Sequence, residues 1–552
     1  MKTKKIVTTI ITCLAISFAT LMSCKGIDEI TEDIDIIVKS SIFKQQIVIE
    51  VFDPVNQLNL EGDNILQVEV IGKDADKIVT DAGNNVNSAK VVGGTIALAV
   101  NPNKNPSNET VEFLVKITGD QYLTTTIPIV LSPTDSIASI SANVVNKLNT
   151  AQGIDYKKTT ETLTNNTLTK DFIFETSGLK AGTNTEITIK SGTIFKDENG
   201  NDISGTEIES ELVHFNSANS ESLDSFPGGF MPAEITDENG DILNNAYFIT
   251  AGFASINMTI GNKEVKNFSK PISIKMKIDA NFINPDTGIK IKKGDTIPIW
   301  SYSKDDGKWD FHKDGVVKVD NNNLIIEYTT THLSWYNLDY KGTRCSSYSP
   351  SGVAKINISM SGVNNSNGYR LFSDFFYENG NQPISPYSGK TFSWYDGQTF
   401  EINNAPVNRK VQLIVYSGSN RYDKGEILFR SEAVNLCNVG SVDVDVSNIV
   451  SKLPPLPVNV NVNYQGKCNR KIIAPTIPLY MKKTNYYGRT YWSYLGYVYD
   501  GKITIRNINL NKEYEFRTYF NGQYFYQNIS FDKTEYINDS YEIPSDLCDR
   551  LF

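Results

Sequence analysis

Histidine is nearly absent from this chain: three in 552 residues, at His214, His312 and His332. They are too few for a zinc site, and no Cys-x-x-Cys pair supplies thiolate ligands instead. No Gly-x-Ser-x-Gly elbow occurs, so an α/β-hydrolase nucleophile is excluded. Basic residues are in deficit, 53 Lys+Arg against 63 Asp+Glu for a net charge of −10. That sign argues against nucleic acid as the main partner. Beyond Leu21 no run is apolar enough to span a membrane. No metal, no cofactor and no conventional hydrolase are expected. What remains is a globular chain, 40% apolar and 21% charged, long enough for three to five domains.

The first residues give an address. Lys2, Lys4 and Lys5 precede a short apolar run from Ile6 to Leu21, which reads as a signal peptide over residues 1–23. It ends in Leu21-Met22-Ser23-Cys24, which resembles a bacterial lipobox. The resemblance implies that Cys24 is diacylated and heads the mature chain. Several acyl chains on one residue anchor stably where a single chain is marginal. The alternative is an ordinary secretory signal with an incidental cysteine. Residues 24–35 form an acidic tether. Lys25 follows the cysteine in place of an inner-membrane retention Asp, and Asp28, Glu29, Glu32 and Asp33 resemble the surface-export signal of Bacteroidetes-type lipoproteins, or serve as a solvated tether. The expected place is the outer membrane, exposed at the cell surface, with a periplasm-facing orientation as the alternative.

With Cys13 removed and Cys24 lipidated, four cysteines remain: Cys345, Cys437, Cys468 and Cys548. An even number in an exported protein points to disulfides. Three connectivities are open; Cys345–Cys437 and Cys468–Cys548 are favoured because each pair brackets a domain-sized block.

The fold class is mainly β, as tandem β-sandwiches with a short helical linker after the first. Residues 36–132 alternate or run apolar, as in Gln46–Val51, Leu66–Val70, Thr95–Val100 and Glu112–Ile117, with Gly, Asn and Pro between them. Residues 133–152 differ: Ile137, Ile140, Val144, Val145 and Leu148 fall at helical spacing behind a capping stretch, so a helical linker is expected. A β segment, 153–224, leads into a central β domain, 225–342. Asp197-Glu198-Asn199-Gly200-Asn201-Asp202 and Asp237-Glu238-Asn239-Gly240-Asp241 have an acidic look but lack the EF-hand Gly and Glu positions, and read as hairpin turns. Two further β blocks, 343–450 and 456–552, are separated by Pro454-Pro455-Leu456-Pro457.

The central domain ends in Thr331-His332-Leu333-Ser334-Trp335-Tyr336. A Ser hydroxyl can attack the carbonyl before it, here that of Leu333, if a base takes its proton; His is the usual base near neutral pH. This stretch resembles the self-cleaving domains of adhesion receptors and of the PIDD family, and upstream Lys270–Ile274, Ile297–Tyr302 and Gly307–Trp309 extend the likeness to ectodomains of the cartilage intermediate layer protein type. It covers about a fifth of the chain. The resemblance implies cleavage between Leu333 and Ser334, the halves held together by a shared sheet. The departures are a Leu where PIDD has Phe and only Cys345 nearby where adhesion receptors have paired cysteines. The plain alternative makes the same residues the last two strands of a sandwich, with Trp335 in the core and His332 at an edge.

The last two blocks read as repeats. Tyr395-Asp396-Gly397 corresponds to Tyr499-Asp500-Gly501, Asn403 to Asn507, Tyr416 to Phe520 and Gly418 to Gly522 at one constant offset. The pattern resembles carboxypeptidase-regulatory-like domains, which implies accessory β-sandwiches. The final block is rich in aromatics, with Tyr486, Tyr487, Tyr491, Trp492 and Tyr494 as candidate binding residues; core packing is the other use for them. Three functions are expected in order: a lipid-anchored binding or adhesion scaffold for an extracellular protein or glycan without substrate turnover; a self-processing protein; a glycan-binding accessory of a polysaccharide-capture system.

Overall fold

The computed structural model describes residues 36–39 and 43–542, apart from 54, 56–57, 60–64, 82, 92–93, 108, 132, 134–136, 228, 231, 233, 244–245, 304–306, 346–352, 365–367, 379–381, 385–389, 404, 419–423, 440, 454–457, 469–470, 485–489 and 521–522. The protein is mainly β, and among the described residues eight sheets assort into four sandwiches in series. Alternation sets the faces. In Val111–Gly119 the inward Val111, Phe113, Val115 and Ile117 are buried while Glu112 points out. In Asn267–Ile278 the inward residues Ile272, Ile274, Met276 and Ile278 are likewise buried.

The first sandwich corrects one expectation. Ile137–Asn143, expected as helix, is a strand that pairs in parallel with Gln46–Asp53 along its whole length. Apolar spacing in so short a segment fits either period. The open edge of Gln46–Asp53 supplies hydrogen bonds that an isolated short helix cannot match. Leaving aside the two-residue strand Leu58–Asn59, this sandwich has seven strands. Numbered in chain order, one sheet runs 3-4-1-7 and the other 2-5-6, with Ile137–Asn143 as the seventh.

The second sandwich begins earlier than expected. Ile154–Thr162 and Glu207–Asn216 belong to its nine-stranded sheet, and Phe172–Glu175 and Thr185–Ile189 to its six-stranded sheet. Residues 153–224 are therefore part of the central domain and not a lead-in to it. One core lies between the sheets. A second, aromatic layer of Phe226, Phe230, Phe248, Phe253, Trp300 and Trp309 covers part of the outer face of the larger sheet. The strand Glu207–Asn216 shows the division: on its outward side Val213 and Phe215 lie under the aromatic layer, whereas Glu209 and Glu211 remain half-exposed.

The third and fourth sandwiches share one topology. In Val353–Asp445, and again in Val458–Glu542 when the short strand Lys471–Ala474 is left aside, seven strands form a 4-1-7 sheet, its seventh strand parallel to the first, facing a 3-2-5-6 sheet. Gly397 and Gly501 of the two Tyr-Asp-Gly turns sit at φ +80° and +77°, a region open to glycine without steric cost. The first sandwich follows the same plan except that its third strand pairs with the fourth instead of the second. Ile36–Lys39 adds to the fourth sandwich, parallel to Lys471–Ala474.

The joints between sandwiches are specific. Gln382 of the third accepts from the Thr250 backbone N–H (2.9 Å) and donates to the Phe248 carbonyl (2.8 Å), and Arg409 pairs with Asp286 at 2.6 Å. The Cys345–Cys437 disulfide spans the first six strands of the third sandwich, with Cα atoms 6.0 Å apart. The first and fourth sandwiches meet where Thr95 Oγ1 lies 2.6 Å from the Tyr480 hydroxyl and Ala97 packs on Tyr519.

Candidate functional site

His332-Leu333-Ser334 forms the crossover between the two sheets of the second sandwich. Asn323–His332 lies in the six-stranded sheet and Trp335–Thr343 in the nine-stranded one. The two strands flanking the turn therefore do not share a sheet. Leu333 is buried, and its N–H donates to the Lys266 carbonyl at 2.8 Å. The Ser334 hydroxyl donates to the Tyr302 carbonyl at 2.7 Å. The His332 ring is exposed at the rim and makes no hydrogen bond to Ser334. Partial burial and the Lys266 charge hold its pKa below the ordinary histidine value, so the ring is neutral at pH 7.

The polar grip in this turn is on the wrong carbonyl for an acyl shift. Tyr336 donates to the His332 carbonyl at 2.6 Å, and Thr330 Oγ1 reaches the same oxygen at 3.2 Å. Stabilising a tetrahedral intermediate requires donors at the Leu333 carbonyl. Residues 332–334 include no left-handed φ and no cis peptide, so no strained backbone of that kind loads the bond. Thr330, Tyr336, Tyr302 and Lys266 decide the turn's hydrogen bonding. Of these, only the short spacing of Thr330 and Tyr336 around His332 was visible in the sequence; Tyr302 and Lys266 arrive from other strands.

The turn borders a cleft of about 1080 Å³ between the first and second sandwiches. Its floor is the uncovered, polar part of the nine-stranded sheet, with Glu209, Glu211, Ser255, Asn257 and Thr259. The hairpin Gly119–Thr124 of the first sandwich forms the opposite wall, and Trp335 and Tyr302 stand at one end. Charges along it are paired: Lys147–Glu211 at 3.2 Å reaches from one sandwich to the other, while Lys158–Glu209 at 2.7 Å and Lys266–Glu264 at 3.4 Å pair within the second.

The other predicted sites distribute differently. Trp492 is buried and Tyr494 half-buried in the sheet of the fourth sandwich that meets the first. There Arg517 is caged, its guanidinium 4.6 Å from the Trp492 ring, 4.3 Å from Tyr524 and 5.4 Å from Tyr480. These aromatics build a domain joint around a buried cation. Tyr491 sits on the strand Thr490–Val498; Tyr486, Tyr487, Cys24 and Cys548 lie outside the described residues, and with Cys548 the Cys468–Cys548 pairing.

Both acidic loops are hairpin turns. Asp197 Oδ1 accepts from the N–H groups of Asn199 and Asn201, and Asp237 Oδ1 from those of Asn239 and Asp241, all at 2.8–3.0 Å. These bonds hold both carboxyls below their usual pKa and occupy the oxygens an ion would need. Melting temperatures in millimolar calcium and in EDTA are expected to coincide in differential scanning fluorimetry; a calcium-dependent rise contradicts this assignment.

No family model and no curated protein matches the chain. Among solved structures it is similar to the Bacillus anthracis TIE protein, at 9% identity over 71% of this chain and 75% of that one, with a TM-score of 0.14. It is also similar to the full-length major pilin SpaD of Corynebacterium diphtheriae, at 9% identity over 73% and 96% of the two chains, with a TM-score of 0.13. A third likeness is to the human-specific toxin intermedilysin, at 10% identity over 69% and 65%, with a TM-score of 0.10. Scores this low carry no argument about fold or function.

Proposed function

We propose that the chain is a lipid-anchored protein of the cell envelope, displayed at the outer-membrane surface, that works as a binding or adhesion scaffold without substrate turnover. One observation carries the reading: four sandwiches are held in fixed relation by built joints, and the first two enclose an open, polar cleft between them. The joints use a buried glutamine, an arginine–aspartate pair and a caged arginine. Rigid spacing of recognition surfaces is what a scaffold requires, since every joint left loose adds an ordering penalty on binding. The lipobox-like Cys24 supplies the attachment.

The test is metabolic labelling with alkyne-palmitate, joined to protease shaving of intact cells. Wild type is expected to carry the label, fractionate with the outer membrane and be digested from outside. Cys24→Ala is expected to lose both label and membrane attachment. Unlabelled wild type, or wild type protected from external protease until the cells are broken, contradicts the proposal.

A further inference from the structure

The cleft between the first and second sandwiches has a chemistry that names its ligand, and this inference rests on the binding-scaffold reading above. Charge comes first. Lys158, Lys147 and Lys266 are each within ion-pair distance of a glutamate, Glu209, Glu211 and Glu264 respectively. Asp120 and Glu198 also line the cleft, so five acidic side chains stand beside three lysines, and the lining is rich in hydrogen-bonding groups and slightly acidic. A free anion meets net repulsion, and three of the five carboxylates a cation would need are already held in ion pairs.

Hydrogen-bonding capacity comes second. Ser255, Asn257 and Thr259 lie on one side of a single strand, along the floor of the cleft. Asn257 is half-buried, and its Oδ1 is a buried atom with no hydrogen-bond partner within the protein. The exposed His332 ring at the rim is neutral at pH 7, and a neutral imidazole both donates and accepts. An apolar ligand placed here leaves these groups desolvated and unpaired, which costs about 1–3 kcal/mol for each.

An aromatic plate is the third feature. Trp335 borders the cleft, half-buried, with its ring stacked on Phe215 at 5.5 Å between centroids. The stack and the flanking Ser255 and Tyr302 pairings hold it in place. Amide and hydroxyl groups arrayed beside a fixed aromatic ring match a molecule with hydroxyl edges and C–H faces. At about 1080 Å³ the cleft exceeds the ~300–1,000 Å³ of a pocket for a compact small molecule, and it is open, so a chain of rings fits better than a single one.

We propose that this cleft binds a neutral oligosaccharide, with Trp335 as the stacking platform and Asn257, Glu211 and His332 as partners for its hydroxyl groups. The site includes no residue of the aromatic fourth sandwich, whose Trp492 and Arg517 are engaged beside the joint to the first.

The experiment is calorimetric titration of the full mature chain with maltohexaose, cellohexaose, xylohexaose and mannohexaose, and with a hexamer of galacturonate as the charged control. At least one neutral hexasaccharide is expected to bind and the galacturonate is not. Asn257→Ala, which removes a half-exposed side chain, and Trp335→Ala are each expected to weaken binding about ten-fold or more; Tyr526→Ala, on the exposed face of the fourth sandwich, is expected to leave it unchanged. An unchanged melting temperature in Asn257→Ala separates recognition from folding. Silence across the neutral panel, preference for galacturonate, or binding that survives Asn257→Ala and Trp335→Ala overturns the inference. The same strains report Cys24-dependent surface anchoring. Anchoring retained without sugar binding removes only the oligosaccharide; anchoring lost removes the scaffold reading, whatever the cleft binds.

Discussion

Asp339→Asn is expected to make the protein more stable than wild type at pH 8. Asp339 is fully buried on the strand Trp335–Thr343, opposite Thr250. Neither carboxylate oxygen has a well-aligned hydrogen-bond partner. Burial pushes its pKa from 3.8 up to about 8, and the neighbouring Thr250 and Asn337 offset this only in part. Below about pH 4 the carboxyl is protonated in both folded and unfolded chains. From there to about pH 8 the unfolded chain gives up the proton and the folded one keeps it, so stability falls as pH rises, by at most ~1.4 kcal/mol per pH unit.

His214 acts in the opposite sense over part of that range. It is buried, with Thr183 Oγ1 2.6 Å from Nε2 and Thr185 Oγ1 2.8 Å from Nδ1, and burial lowers its pKa from 6.5 to about 4. Between about pH 4 and 6.5 the unfolded chain binds the proton that the folded one refuses, so stability rises with pH. The two slopes oppose each other there, and the decline from Asp339 stands alone between about pH 6.5 and 8. Urea unfolding at a series of pH values is expected to show that decline in wild type and to lose it in Asp339→Asn. A wild-type stability that is flat or rising from pH 6.5 to 8 contradicts the assignment.

Loss of the Cys345–Cys437 bond has the next largest expected effect. It closes a loop of 92 residues in sequence separation. In the chain-entropy picture a loop near this length is worth up to ~4.7 kcal/mol, and removal of a native bond usually costs ~2–5 kcal/mol. The loop contains six of the seven strands of the third sandwich, so that unit is expected to melt separately and earlier in Cys345→Ser with Cys437→Ser, by ~10 °C or more. Calorimetry of the double variant, and of wild type with reductant, is expected to give the same early transition. One unshifted transition in both contradicts a structural role for the bond.

The strands were legible because alternation is local. The polar and apolar halves of Glu207–Asn216 were not separable in the same way. Glu209 and Glu211 share a face with Val213 and Phe215, and what covers the second pair is a segment, Phe226 to Phe230, that folds back from beyond the strand. The cleft was invisible for the same reason: its floor and rim come from the second sandwich and its wall from the first. The repeat of the last two sandwiches was legible through turn residues that need a left-handed backbone, Gly397 and Gly501. The first sandwich lacks that Tyr-Asp-Gly signature and moves its third strand to the other sheet. Its kinship in topology was hidden, and with it the seventh-strand place of Ile137–Asn143. The Cys345–Cys437 pair followed from the size of the block it brackets. The aromatic fourth block gave no hint that Arg517 would gather Trp492 and Tyr524 into a joint, because the first sandwich lies hundreds of residues away in sequence.

Denaturing mass spectrometry of the purified chain, wild type beside Ser334→Ala and His332→Ala, tests most directly whether this is a scaffold that does no chemistry on itself. With the Ser334 hydroxyl donated to Tyr302, the His332 ring turned to the rim and the donors gathered on the His332 carbonyl, a single unbroken chain is predicted in all three. A break between Leu333 and Ser334 in wild type, absent from both variants, would contradict the account and make the crossover a self-processing device.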